Sequence, residues 1–178
     1  MLNKILHAAK GIDKPLLLYK NREDTEIFHC GYVLDVTEKE VLMAHISSVG
    51  RYDGYILLRC EDLWRVESDD GYVAKTHKLY KLRHQEHPAI DRHNASLMED
   101  LLRFAQKHRL IVILQFLSSG LENTTGFVAN IHDGTIEIDR VNYEGNRDGK
   151  TYVHISDITR IDCDDDEASA LRLLASDA

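Results

Sequence analysis

The sequence predicts a mainly β protein with short helices, an α+β chain of two tandem small β-barrels, each a helix followed by about five strands. Three observations carry this prediction. The chain has 178 residues, 43% hydrophobic and 29% charged. That fits one ordinary domain or two small ones and excludes disordered, collagenous and coiled-coil classes. A shift of 95 aligns residues 31–72 with 126–167 without a gap. Identical positions include Gly31/Gly126, Val33/Val128, Gly50/Gly145, Asp53/Asp148, Gly54/Gly149, Asp62/Asp157, Arg65/Arg160, Asp69/Asp164 and Asp70/Asp165. Apolar character also agrees, as in Val36/Ile131, Met43/Ile138, Leu63/Ile158 and Val66/Ile161. A period this long means two duplicated domains, not a solenoid of small units. The third observation is a succession of short β-branched and aliphatic runs punctuated by turn residues.

In the first half, residues 2–9 read as a weak helix, followed by strands at 15–19, 27–36, 40–46, 54–67 and 72–82. The second half is clearer. Leu97, Leu101, Phe104 and Ala105 recur at helical spacing over residues 96–108, with Ser96 as N-cap and Glu99 three residues on. Residues 110–117 form a strand-length apolar run, and Ser118, Ser119, Gly120, Asn123 and Thr124 form a turn. Strands at 126–131 and 135–141 are joined by Asp133-Gly134, a hairpin dipeptide that tolerates positive φ. A turn at 145–149 leads into a strand at 151–162, and residues 170–174 supply a closing strand. The domain boundaries expected are 1–82 and 96–178, joined by a basic, histidine-rich linker at 83–95.

Two shared motifs have structural readings. Gly50, Asp53, Gly54 and Gly145, Asp148, Gly149 form a Gly-x-x-Asp-Gly pattern. Glycines there supply backbone angles other residues resist, and the aspartate closes an Asx-type turn. A phosphate cradle is disfavoured because no helix is expected to start directly after the loop. In Asp62-Leu63-x-Arg65-Val66 and Asp157-Ile158-x-Arg160-Ile161, two apolar residues three apart cannot share one side of a flat strand. A bulge or single helical turn is expected, with the arginine paired to it or to acidic residues downstream.

The helix, the five strands, and Gly-Tyr-Val at 31–33 matched by Gly-Phe-Val at 126–128 together resemble the Sm-like fold, a small, strongly bent barrel. The resemblance covers residues 2–82 and 96–174. It implies association by strand-edge pairing, between the two copies or with further chains. It does not carry over the family's nucleotide-binding signature. The loop between the second and third strands reads Thr37-Glu38-Lys39-Glu40 and His132-Asp133-Gly134-Thr135, without the family's asparagine. The family's Arg-Gly is replaced by Glu61-Asp62 and Ser156-Asp157.

Charge is unevenly distributed. The net charge of −8 opposes a surface that grips nucleic acid or anionic lipid everywhere. Residues 73–109 carry 8 basic and 4 acidic side chains, whereas residues 110–178 carry 5 and 13. If RNA is a partner, its contacts are expected at Lys75, Lys78, Lys81, Arg83 and Arg92; docking of this segment on the chain's own acidic surfaces is the alternative. His84-x-x-His87 lacks the further ligands of a structural zinc site, so no metal is assigned. The acidic run from Asp162 to Glu167 lacks the glycine of a calcium loop and reads as a solvated strand end.

No catalytic residue is assigned. Cys30 follows His29 directly, so in a strand the two point to opposite faces, and no thiol recurs between the halves. No phosphate loop, dinucleotide fingerprint, nucleophile elbow or metalloprotease motif is present. The odd count of three cysteines favours a reducing compartment. The uncharged run at 110–121 is too short for a membrane span. The expectation is a cytoplasmic, non-catalytic binding or assembly module without a cofactor. Its partner would be another protein or a second copy, with RNA as the alternative.

Overall fold

A computed structural model describes residues 1–24, 26–116 and 123–176. The chain divides into two compact units, residues 1–89 and 90–178. Among the described residues it is mainly β with four short α-helices.

The first unit contains α1 (Leu2–Ala9), β1 (Leu16–Tyr19), β2 (His29–Val36), β3 (Glu40–Ile46), β4 (Tyr52–Arg59), a 3-10 turn (Cys60–Asp62), β5 (Arg65–Glu67) and α2 (Gly71–Leu82). Its antiparallel ladder has the order β5-β1-β2-β3-β4. All four residues of β1 are buried, because alternate side chains enter different cores. Leu16 and Leu18 join Leu6 of α1, Val33, Met43 and Ile56. Leu17 and Tyr19 join Cys30 and Val73 of α2, flanked by Phe28, Trp64 and Tyr72. A strand covered on both faces has to read as an unbroken apolar run, as Leu16-Leu17-Leu18 does.

The second unit contains α3 (Leu97–His108), β6 (Ile111–Phe116), β7 (Thr124–His132), β8 (Thr135–Val141), β9 (Arg147–His154), a 3-10 turn (Ile155–Asp157), β10 (Ile158–Cys163) and α4 (Asp166–Ser176). Its ladder order is β10-β6-β7-β8-β9. Ser96 Oγ accepts the Glu99 N–H at 3.4 Å, as the capping pattern requires. Ile111, Val141, Ala168 and Leu171 form a core against Phe127 and Ala175.

Local irregularities fall at matching places. Register shifts between Val33 and Asp35 and between Ala44 and Ile46 recur between Val128 and Asn130 and between Asp139 and Val141. A Cβ on Gly31 would collide with the Ala44 carbonyl oxygen, and one on Gly126 with that of Asp139.

Several expectations need correction. Residues 72–82 form a helix, not a strand. Asp70 Oδ1 accepts the Val73 N–H at 2.7 Å, and buried Val73, Thr76 and Tyr80 follow helical spacing. Residues 170–174 lie in α4, where Asp165 Oδ1 accepts the Ala168 N–H at 2.8 Å. The fifth strand of each unit is instead the far end of a segment expected to be continuous. A 3-10 turn breaks that segment after Arg59 and again after His154, just before the apolar pairs Leu63/Val66 and Ile158/Ile161, and between Ile158 and Arg160 the pairing register shifts, a bulge at the place where the apolar spacing calls for a bulge or a helical turn. Neither ladder closes on itself: β4 does not pair with β5, nor β9 with β10, among the described residues. The Asp133-Gly134 hairpin forms with φ of 46° and 72°, the mirror-image turn that suits strand twist. In the first unit Thr37 Oγ1 instead accepts the N–H groups of Lys39 and Glu40. The turn expected at Ser118, Ser119 and Gly120 lies outside the described residues.

Candidate functional site

The most elaborate side-chain arrangement lies in the first unit, where residues 83–88 run back from the end of α2 along the start of β4. Arg83 Nε donates to the Val49 carbonyl at 3.0 Å. Gln85 Oε1 accepts the Tyr52 N–H at 3.0 Å. His87 Nε2 contacts the Gly54 carbonyl at 2.9 Å, and Tyr55 Oη donates to the Pro88 carbonyl at 2.5 Å. The anchors thus advance in parallel with the strand.

His87 is the centre of this strap. A carbonyl oxygen only accepts, so Nε2 carries the proton and Nδ1 accepts from Tyr80 Oη at 2.7 Å. The imidazole stacks on Tyr80 with an interplanar angle of 20° and lies 4.5 Å from the Tyr52 ring. Burial disfavours its charged form and pushes its pKa down to about 4, although the Gly54 hydrogen bond works in the opposite direction. Burial likewise holds the Tyr80 phenol up at about 12.

A cavity of about 260 Å³ adjoins this cluster, lined in part by Ile12, Asp13, Tyr32, Ala44, Tyr80 and His87. Tyr32 Oη meets His77 Nδ1 at 2.9 Å. Asp13 holds Lys81 Nζ at 2.6 Å, with that ammonium 5.7 Å from the Tyr32 ring centre. Lys14 pairs with Asp69. Two ion pairs therefore tie residues 13 and 14 to α2 and the residue pair before it.

The expected RNA contacts separate into two groups. Lys81 is paired with Asp13, Arg83 is bonded to Val49, and Arg92 Nε lies 3.3 Å from the buried carboxylate of Asp100. Lys75 and Lys78 stand exposed on α2. The region expected as linker is anchored at both ends: residues 83–88 to the first unit, and His93 and Asn94 through their N–H groups to Asp100 Oδ1 of α3.

At the shared glycine motifs, Gly50, Gly54, Gly145 and Gly149 have φ of 69°, 66°, 84° and 79°. The aspartates do something unexpected. Asp53 lies 3.0 Å from His45 Nδ1 and Asp148 lies 2.8 Å from Arg140 Nη2, each reaching a basic side chain on the neighbouring strand. The turns are instead closed by Ser47 Oγ, which accepts the Arg51 N–H, and by Asn142 Oδ1, which accepts those of Glu144 and Asn146. Arg65 pairs with Glu67, and Arg160 Nη2 with Asp162 at 2.6 Å, both downstream. The acidic run is not a solvated strand end: Asp165 caps α4 and Asp164 holds Arg172 at 3.2 Å.

Burial raises the Cys30 thiol to about 12 and Cys60 to about 11, and sets Cys163 well above the usual thiol range. Such thiols remain protonated near neutrality and are poor nucleophiles. Among the described residues, no group of three or more His, Cys, Asp or Glu side chains is arranged to hold a metal ion, and no helix is long and apolar enough to cross a membrane.

The second unit presents a different surface at the matching place. In β4, residues 54–58 are buried. In β9, every residue is exposed except half-buried Thr151 and Val153. β9 pairs with β8 on one side and ends the strand order. Tyr152 is 64% exposed. Tyr52 and Tyr55, two phenols three apart that the reading of the sequence passed over, both meet residues 87–88 of the strap. Arg147 and Lys150 occupy the matching positions here.

Comparison with protein-family models, curated proteins and solved structures finds no match.

Proposed function

We propose that this protein is a non-catalytic assembly module of two duplicated Sm-like small barrels, and that it associates with a second copy through the free edge of β9. The observation that carries the reading is that edge. An eight-residue strand, paired on one side only among the described residues and exposed except at half-buried Thr151 and Val153, presents N–H and C=O groups on its other side to another strand. Its charges are largely neutralised within the unit: Lys150 Nζ lies 2.5 Å from Glu137, and Arg140 holds Asp148. They therefore guard the edge weakly, while Tyr152 adds apolar area. The shared ladder order, register shifts and 3-10 turns support the duplicated-barrel part.

Sedimentation velocity over a range of concentrations tests this reading. The wild-type chain should form species larger than a monomer. Tyr152→Lys, which adds an edge-guarding charge beside Glu137, should weaken that association about tenfold or more without altering the fold. A wild-type chain that stays monomeric throughout contradicts the reading. Labelled RNA provides the contrasting arm: salt-sensitive binding abolished by Lys75→Glu with Lys78→Glu would favour the alternative partner.

A further inference from the structure

The cavity of the first unit draws its lining from three places in the chain. Ile12 and Asp13 lie between α1 and β1, Tyr32 and Ala44 are cross-strand partners on β2 and β3, and Tyr80 and His87 lie on α2 and in the strap. Its volume of about 260 Å³ falls below the roughly 300 Å³ at which pockets for drug-sized molecules begin. A single side chain or a cation of similar size fits such a space. The approach past residues 11 and 12 is open: a Cβ on Gly11 would meet nothing within 4 Å, and Ile12 is 51% exposed.

Three of the lining side chains carry aromatic rings. Tyr32 and Tyr80 have ring centres 5.4 Å apart and planes inclined at 62°, and His87 lies 5.7 Å from Tyr80 at 20°. Rings inclined in this way offer π faces from more than one direction. Tyr80 Oη donates to His87 and Tyr32 Oη meets His77, so both phenolic hydroxyls already have partners. Burial keeps both phenols protonated and the His87 imidazole neutral near neutrality. The one charge in the lining is therefore the Asp13 carboxylate. A negative charge beside aromatic faces attracts a cation. The protein's own Lys81 shows this preference, with Nζ 2.6 Å from Asp13 and 5.7 Å from the Tyr32 ring centre. That ion pair is exposed at both side chains and contributes little, so an entering cation displaces the ammonium at small cost.

We infer that this cavity binds a methylated ammonium group, with Tyr32, Tyr80 and His87 as its aromatic walls and Asp13 as its counter-charge. Methylation decides the class of ligand. A primary ammonium is strongly hydrated and has N–H groups to satisfy, and the hydroxyls here are already engaged. A quaternary ammonium has no N–H and draws its binding from the π faces. A free cation such as choline and a trimethylated lysine side chain share this chemistry. The site lies wholly within the first unit and is independent of the β9 edge.

Titration of the isotope-labelled full chain with choline chloride, against sodium chloride at equal ionic strength, reads the site by amide shift changes. Saturable shifts are expected at Asp13, Tyr32, Tyr80 and His87. The neutral isostere of choline, in which a tert-butyl group replaces the trimethylammonium, should bind about tenfold more weakly or worse. Asp13→Asn should weaken choline binding severalfold, whereas Lys81→Gln, which removes the competing ammonium, should strengthen it severalfold. Opposite signs from the two halves of one ion pair separate the loss of a ligand contact from a general loss of fold. Nα-acetyl-Nε-trimethyl-lysine amide identifies the source: tighter binding than choline assigns the group to a protein side chain, and equal or weaker binding assigns it to a free cation. No saturable shift with either cation, equal binding of the neutral isostere, or a Lys81→Gln chain that binds no more tightly than wild type would each overturn the inference.

Discussion

At the scale of single residues, His87 converts a loop into part of the first unit. Its folded-state pKa of about 4 lies below the ordinary value of 6.5. Between these values the unfolded chain binds a proton that the folded chain does not, so stability rises with pH there and is lost as pH falls from about 6.5 towards 4. The full difference corresponds to roughly 3 kcal/mol. Urea unfolding of wild type and His87→Phe across this range should show a pH-dependent gap; parallel curves would contradict the placement of His87. Gly50 and Gly145 make a second residue-scale case. Alanine at either position combines a positive φ with a collision against α2 or α4. Each substitution should cost roughly 2 kcal/mol or more in chemical denaturation. The glycines were legible because turn chemistry is local. The role of His87 was not, since its partners Tyr80 and Gly54 are 7 and 33 residues away.

At the scale of elements, short-range capping decides where α2 and α4 begin. Asp70 and Asp165 each accept an N–H from three residues on. Asp70→Ala and Asp165→Ala should each cost about 1 kcal/mol, measured as a shift in denaturation midpoint. Apolar character alone hid these helices. The run at 170–174 fits a strand by composition, but it belongs to α4, whose buried Ala168 and Leu171 are three apart, and a strand would not bring both to one face. The helix at 97–108 was legible because Ser96, Glu99 and the leucine spacing agree. The strands at 158–163 and 65–67 were concealed in longer apolar segments, because the spacing of Leu63/Val66 and Ile158/Ile161 told of an irregularity without telling that a 3-10 turn divides the segment just before each pair.

At the scale of the molecule, two units of one strand order differ in what they leave exposed. The first unit covers the start of β4 with its own chain, while the second leaves β9 exposed beside Tyr143, Leu173 and Leu174. Sequence comparison of the halves found the common ladder through its glycines and apolar positions. It did not show this difference, which depends on residues 83–88 folding back over a strand that precedes them by more than 30 positions. An edge of this kind favours association. Hydrogen–deuterium exchange of the β9 amides, followed as protein concentration rises, tests the assembly claim most directly. The account predicts that residues 151–154 become protected in step with the growth of larger species and that Tyr152→Lys abolishes this protection. Exchange in β9 that stays fast and independent of concentration, in a chain that remains monomeric, would contradict it.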